Sequence, residues 1–322
     1  ERLVMIGCVL SHARGRHAAR NAVAALLSLA VIATTQNALA EPIRGAGSTF
    51  AAPIINQWSR DYEAVRTDGG DFTSPDWRVD YEPVGSLAGV MRLAQPETDF
   101  AATDAPLPPA EVEQRNWAQF PIVMGGIVVV ANVEGLGAGQ LRMTGELVAD
   151  IYLGKVTRWN DPAIAALNAG VALPDAEIVV LHREDGSGST LAFTTFLAAS
   201  SPEWKEAHGA DTLIEWPLGA GHRGTGGLTA SAQATRNSIA YLEYGQVVRA
   251  GLPFVSLQGA DGSFLRPEPS AFQAGLGALK WDAARGFEPD ADAAASGAWP
   301  IPVVTYAVVP RDRPQGRINR VL

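Results

Sequence analysis

Residues 181–193, Leu-His-Arg-Glu-Asp-Gly-Ser-Gly-Ser-Thr-Leu-Ala-Phe, constrain this chain more than any other stretch. The β-branched run Ile178-Val179-Val180 leads into it, and Phe193, Phe196 and Leu197 follow on one helical face. A strand, a glycine-rich turn and a helix start therefore meet at one point. The first amides of such a helix have no intrahelical partner, and its dipole is positive there, so the turn is suited to hold an anion. Arg183, just ahead of it, adds a forked and permanently charged donor. Taken alone, Gly186-Ser187-Gly188-Ser189 reads better as a flexible turn with Ser189 as a cap. Other loops described below tip that balance.

The first 40 residues stand apart. Arg14, Arg16 and Arg20 precede an apolar run from Ala22 to Ala33, and Ala38-Leu39-Ala40 supplies small residues for cleavage. This order predicts a secretory signal peptide over 1–40, with an apolar run too short for a permanent span. Without that leader's four arginines and one glutamate, 21 basic and 33 acidic side chains remain, a net charge of −12. Such acidity speaks against nucleic acid or anionic membrane surfaces as partners, so an anion site must work through local donors. The sole cysteine, Cys8, falls in the leader, which leaves the mature chain without disulfide or thiol chemistry. A content of 47% hydrophobic and 18% charged residues is globular, and 322 residues suit two units of ordinary size. A soluble protein outside the cytoplasm is expected.

From Glu41 onward, strand-like and helix-like stretches alternate. Ile54, Ile55, Trp58, Tyr62 and Val65 mark one helical face. Val79–Val84 and Asp99–Ala102 read as strands, Ala88–Leu93 as a helix, and Ile122–Ala131 as a long buried strand. A helix opens at Pro108-Pro109, with Val112 and Trp117 at helical spacing. Further helices are expected over Thr144–Leu153, Ala163–Leu167 and Thr190–Ala199, and a strand over Ser238–Leu242. The alternation predicts an α/β fold with mostly parallel sheets. Thr67–Pro75 and Gly219–Gly227 read as loops. Ligands of such folds bind beyond the carboxyl ends of strands. Four segments carry polar or glycine-rich residues there: Gly45–Phe50, Gly85-Ser86, Thr103-Asp104 and Arg183–Thr190. Four loops of this kind point to one shared cleft. Gly219-x-Gly221-x-x-Gly224 matches a dinucleotide fingerprint in form, but no β-branched strand precedes it. His182, His208 and His222 lack metal-ligand spacing, so neither metal nor cofactor is expected.

In order and spacing these segments resemble the secreted phosphate-binding protein of ABC-type phosphate importers. The landmarks are Gly45-Ala46-Gly47-Ser48-Thr49-Phe50, Asp99–Leu107, Asp150-Ile151-Tyr152-Leu153-Gly154-Lys155, Asp185–Ser189 and Tyr241-Leu242-Glu243-Tyr244. They span Gly45 to about Arg311. The resemblance implies a periplasmic-binding-protein-like fold, two α/β lobes joined by a twice-crossed hinge. One lobe would comprise 41–123 plus the return segment 303–322, and the other 124–302. It also implies the contacts to phosphate: Thr49, Phe50 through its amide, Ser86 and Asp104 from the first lobe, and Arg183, Ser187, Gly188 and Ser189 from the second. Asp185 would hold the Arg183 guanidinium in register. The chain ends at Leu322, where the resemblance implies further helices, so a shortened first lobe is expected. Partners would be inorganic phosphate and the membrane permease subunits of the importer, with the protein a periplasmic monomer and not an enzyme.

The implied residues make chemical sense for this ion. A dehydrated phosphate needs a donor for nearly every lone pair, and hydroxyls and helix-start amides supply them without stacking cations. A carboxylate such as Asp104 repels an anion unless that anion has a proton to share. Phosphate has one near neutral pH and sulfate does not, so Asp104 would select between them. Alone, Asp104 reads as a plain turn or cap residue, and Thr49 as a helix cap. Two alternatives stay open on the residues: a secreted phosphatase or serine hydrolase using Ser187 with His182 or Asp185, and a binder of another tetrahedral oxyanion. Against the first, Gly186-Ser187-Gly188-Ser189 has the wrong register for a nucleophile elbow.

Overall fold

Two long strands organise the protein. The computed structural model describes residues 42–67, 79–277, 279, 281–282, 287 and 296–312. The expected leader, most of the expected loop Thr67–Pro75, and Arg313–Arg320 lie outside the described residues. Strand β4 (Trp117–Asn132) and strand β11 (Pro302–Pro310) run antiparallel side by side, Trp117 opposite Pro310 and Gly126 opposite Pro302. Beyond that shared stretch, β11 pairs on its other edge with β3 (Phe100–Thr103), and β4 continues to pair with β8 (Ser238–Glu243). With β1 (Ile43–Gly47), β2 (Val79–Glu82), β6 (Val179–Arg183) and β7 (Ala220–His222), the strand order is β2-β1-β3-β11-β4-β8-β6-β7. The result is two α/β lobes joined through two adjacent strands.

In the first lobe, β2, β1 and β3 are parallel, with helix α1 (Ala52–Thr67) after β1 and α2 (Ser86–Leu93) between β2 and β3. Side chains alternate across the sheet as a strand requires. Ile43, Phe100, Ala102 and Val309 pack with Ile55 on one face, and Ala101 and Val308 with Leu93, Val112 and Trp117 on the other. Helix α2 lies very close to β1, because Gly89 faces backbone: a Cβ there would stand 2.3 Å from the Gly47 Cα. A short helix α3 (Pro109–Gln114) follows β3 with proline in its first turn.

The second lobe has β8, β6 and β7 parallel, flanked by α4 (Gly145–Tyr152), α5 (Pro162–Leu167), α6 (Gly188–Ser200), α7 (Pro202–Ala207), α8 (Gly224–Ala234), α9 (Tyr244–Ala250) and α10 (Pro269–Gly277). Thr144 and Asp161 cap α4 and α5 by accepting amide hydrogen bonds. The main core lies here, built from Val128, Val129, Val130, Trp159, Phe193, Leu197 and Trp204. A small sheet, β10-β9-β5, joins Phe264–Leu265, Ser256–Gln258 and Arg142–Met143. Among the described residues no helix is long and apolar enough to cross a membrane.

Two expectations need correction. Trp117 begins β4 instead of continuing α3, because the chain takes a left-handed turn at Asn116, φ 54°, which ends the helix. Gly219–Gly227 is not a loop: Ala220 to His222 pair with Leu181 to Arg183, and α8 starts at Gly224. The main sheet is mostly parallel as expected, in four of its seven joins, and those four lie on its flanks. Its three central joins are antiparallel because β4 and β11 enter from opposite ends.

Candidate functional site

The loops that follow β1, β3 and β6 meet the starts of α2, α6 and α8. Gly188, first residue of α6, lies directly against Asp104 and Ser86: a Cβ on it would be 2.3 Å from the Asp104 Cβ and 2.8 Å from the Ser86 Oγ. The Leu87 amide donates to the Gly186 carbonyl, and Thr49 Oγ1 lies 2.7 Å from Thr225 Oγ1. Arg183 Nη1 donates to Thr49 Oγ1 at 3.3 Å and to Thr225 Oγ1 at 3.4 Å. The two lobes therefore touch through polar groups, at a point where helix N-termini and their positive dipole ends gather.

Asp104, just after β3, is a buried carboxyl of the first lobe, 7% exposed. Its Oδ2 accepts from Ser48 Oγ at 2.8 Å and Ser86 Oγ at 3.3 Å, and its Oδ1 accepts from Thr305 Oγ1 at 2.6 Å. The Asp104 amide donates in turn to Ser86 Oγ. Burial pushes the Asp104 pKa up to about 6 from 3.8, and the charge of Glu243 adds to that rise. The hydroxyls of Thr305, Ser48 and Ser86 hold it down in part. A group so placed shares a proton readily near neutral pH.

Arg183 closes β6 with its side chain 1% exposed. Nε donates to Asp185 Oδ1 at 2.6 Å and Nη2 to Asp185 Oδ2 at 2.5 Å, a bidentate fork that fixes the guanidinium plane. The Gly224 amide at the start of α8 also donates to Asp185 Oδ1. Burial opposes the Arg183 charge, but Asp185 beside it outweighs that and raises its pKa. Burial likewise opposes the Asp185 charge, and Arg183 holds its carboxyl below the usual range. With Asp185 taking Nε and Nη2, Nη1 is the part of the fork aimed at the hydroxyls of the cleft.

The sequence-derived residues fall around this centre with distinct local tasks. Ser187 caps α6, its Oγ accepting from the Thr190 amide at 3.4 Å. Ser189 Oγ donates to Glu243 Oε1 at 2.7 Å. Phe50 is half-buried, with its ring against Gly125 on β4. It borders a pocket of about 470 Å³ together with Pro53, Met124, Tyr244, Arg249 and Phe272. Arg223 stays in solvent, with its side chain 85% exposed. His182 stacks on Trp216, and its Nδ1 lies 3.1 Å from the Arg183 carbonyl oxygen.

Sequence reasoning missed Ser48, Thr225, Glu243 and Thr305, which complete the polar centre. Thr225 Oγ1 donates to Glu243 Oε1 at 2.8 Å, and Glu243 is 2% exposed at the end of β8. Tyr241, two residues earlier, accepts from the Arg183 amide and shares a 2.7 Å hydrogen bond with Thr190. Among the described residues no cluster of three His, Cys, Asp or Glu side chains is placed to hold a metal. The donor set, with many hydroxyls, helix amides and one fork, fits an oxyanion.

Comparison with known proteins agrees. A model of the PBP superfamily domain matches residues 33–317. The phosphate-binding protein PstS of Xylella fastidiosa (strain Temecula1) is 36% identical over 270 residues, covering 84% of this chain and 72% of that protein. PstS of Pasteurella multocida (strain Pm70) is 35% identical over 294 residues, covering 90% of this chain and 81% of its own. Among solved structures, a high affinity periplasmic phosphate-binding protein, PfluDING, bound with phosphate at pH 8.5, has a TM-score of 0.63 at 18% identity, covering 87% of this chain and 84% of that one. That likeness bears on the fold alone. On the length of the family match and the identity to its relatives, the chain belongs to the PBP superfamily and, within it, to the PstS family of phosphate-binding proteins.

Proposed function

We propose that this protein captures inorganic phosphate outside the cytoplasm, between its two lobes, and delivers it to the permease of an ABC-type phosphate importer. The observation that carries this reading is Asp104: a buried carboxyl with a raised pKa, set among hydroxyls and facing the start of α6. In an oxyanion site such a group favours a ligand that brings its own proton. Thr49, the Phe50 amide, Ser86 and Asp104 from one side, and Arg183, Ser187, Gly188 and Ser189 from the other, would surround the ion, with Asp185 orienting Arg183. We place the lobe boundaries near 123/124 and 302/303, where β4 and β11 pass side by side. The ligand would act by favouring the closed arrangement, which requires no covalent step.

A role without turnover is supported by the tasks of the residues a hydrolase would use. Ser187 caps a helix, and His182 is stacked on Trp216 beside the Arg183 carbonyl. Secretion through the leader of 1–40, a periplasmic location and a monomeric state belong to the same proposal. Isothermal titration of the mature chain with phosphate and with sulfate, at two pH values, tests it. Tight binding of phosphate and none of sulfate is expected; equal binding of both would overturn the role of Asp104.

A further inference from the structure

Glu243 sits at the end of β8 and just ahead of α9, and its two oxygens are treated unequally. Oε1 accepts from both Ser189 and Thr225, whereas Oε2 is buried without a hydrogen-bond partner among the described residues. An ionised carboxylate only accepts, so both hydroxyls direct their single proton to Oε1. Thr225, its proton committed, must then accept from Thr49, and Thr49 accepts from Arg183. Two hydroxyl protons at the centre of the proposed phosphate site thus point at Glu243, and that of Thr49 leads to it through Thr225.

A bound phosphate needs those protons. Turning Ser189 and Thr225 onto phosphate oxygens strips Oε1 of its donors beside an Oε2 that already has none. A bare buried carboxylate would then face a dianion, and both desolvation and repulsion oppose that state. The other two carboxyl groups have answers: Asp185 is forked by Arg183, and Asp104 holds three hydroxyl donors. Protonation of Glu243 removes its charge and turns an orphan acceptor into a donor. The charged and titratable groups facing it are Asp104 beyond β3, Arg183 on β6 with its partner Asp185, Tyr241 on its own strand, and Tyr244 and Arg249 of α9, which border the same pocket.

We propose that Glu243 is the proton acceptor coupled to phosphate capture. One proton enters its carboxyl from solvent as the anion settles, and the same proton returns to solvent on release. The hydroxyls of Ser189 and Thr225 swing between Glu243 and the ligand. This rests on the phosphate reading above and adds a pH dependence to it. Glu243 is a positioning residue in this scheme, because it acts through the two hydroxyls.

The test is titration calorimetry with inorganic phosphate in buffers of contrasting ionisation enthalpy, for the mature chain and for Glu243→Gln. The substitution keeps an acceptor for Ser189 and Thr225 but cannot take up the proton. Wild type is expected to take up about one more proton per phosphate than the variant. Wherever that extra uptake holds, its affinity should fall about tenfold more steeply per pH unit than the variant's. Equal proton uptake in both, with phosphate bound, overturns the proposal and leaves the binding reading standing. Absence of any phosphate heat in wild type overturns the binding reading itself. Should the variant fail to melt cooperatively, infrared difference spectra of wild type decide. Phosphate must convert one carboxylate band to a protonated-carboxyl band, and an unchanged carboxyl region refutes the assignment.

Discussion

Asp104→Asn should stabilise the ligand-free protein at neutral pH while weakening its hold on phosphate. In the unfolded chain the carboxyl titrates near 3.8, and in the fold burial carries it to about 6. At 1.36 kcal/mol per pKa unit, keeping it ionised in the fold costs about 3 kcal/mol. The sign follows from the raised pKa: the native state holds the proton more tightly, so stability falls as pH rises from about 4 to about 6 and stays reduced above. An amide of the same shape removes that penalty and loses about 1 kcal/mol of hydrogen bonding to Ser48, Ser86 and Thr305. A net gain of about 2 kcal/mol near pH 7.5 is therefore expected, turning into a net loss of about 0.5 kcal/mol near pH 4. Urea denaturation at both pH values measures it. Phosphate binding should weaken roughly 10- to 150-fold through loss of a charge-assisted hydrogen bond of about 1.5–3 kcal/mol, and sulfate should begin to bind. A variant no more stable than wild type at pH 7.5, or one with unchanged anion selectivity, would refute the argument.

Other substitutions probe separate links. Gly188→Ala places a Cβ 2.3 Å from that of Asp104, so it should resist closure by about 3 kcal/mol and weaken phosphate binding roughly 100-fold. Its ligand-free melting temperature should hardly move, since the three atoms nearest the added methyl all belong to the opposite lobe. Arg183→Lys keeps a charge but cannot fork onto Asp185 and still reach Thr49, so calorimetry should show a loss of about 100-fold in affinity. Trp204→Ala removes a fully buried indole and its bond to the Gly209 carbonyl, for a destabilisation of about 3–5 kcal/mol in urea. Phosphate affinity of the folded fraction should stay within twofold of wild type.

The strand, turn and helix around Arg183–Ser189 were legible in the sequence because their signals are local: β-branched residues, then glycines and serines, then an apolar helical face. The same holds for α4 and α5, expected over Thr144–Leu153 and Ala163–Leu167 and found at Gly145–Tyr152 and Pro162–Leu167. What escaped depends on contacts between distant segments. Thr305 reaches Asp104 across 201 positions, and its only sequence signal is that it is a polar residue inside an apolar strand. Glu243 gave a comparable hint, a carboxylate ending the buried run Ser238–Leu242. Thr225 was hidden because its glycine-rich surroundings imitate a loop, whereas pairing with β6 makes the segment a strand and a helix start. The antiparallel centre of the sheet was likewise invisible, because strand direction is set by the route of the chain and not by its local composition.

Thr305 has a further consequence. It belongs to β11, one of the two strands that tie the halves together, lies beside the register shift between Thr305 and Tyr306, and its hydroxyl grips the acid at the heart of the cleft. If these strands are the pivot of the proposed closure, such wiring makes that pivot a sensor as well. Bending of the ribbon would pull on the Asp104 carboxyl, and any change in that group's charge or bonding would pull back on the ribbon. Occupancy and posture would then share one mechanical linkage, with no relay of intermediate side chains to carry the message.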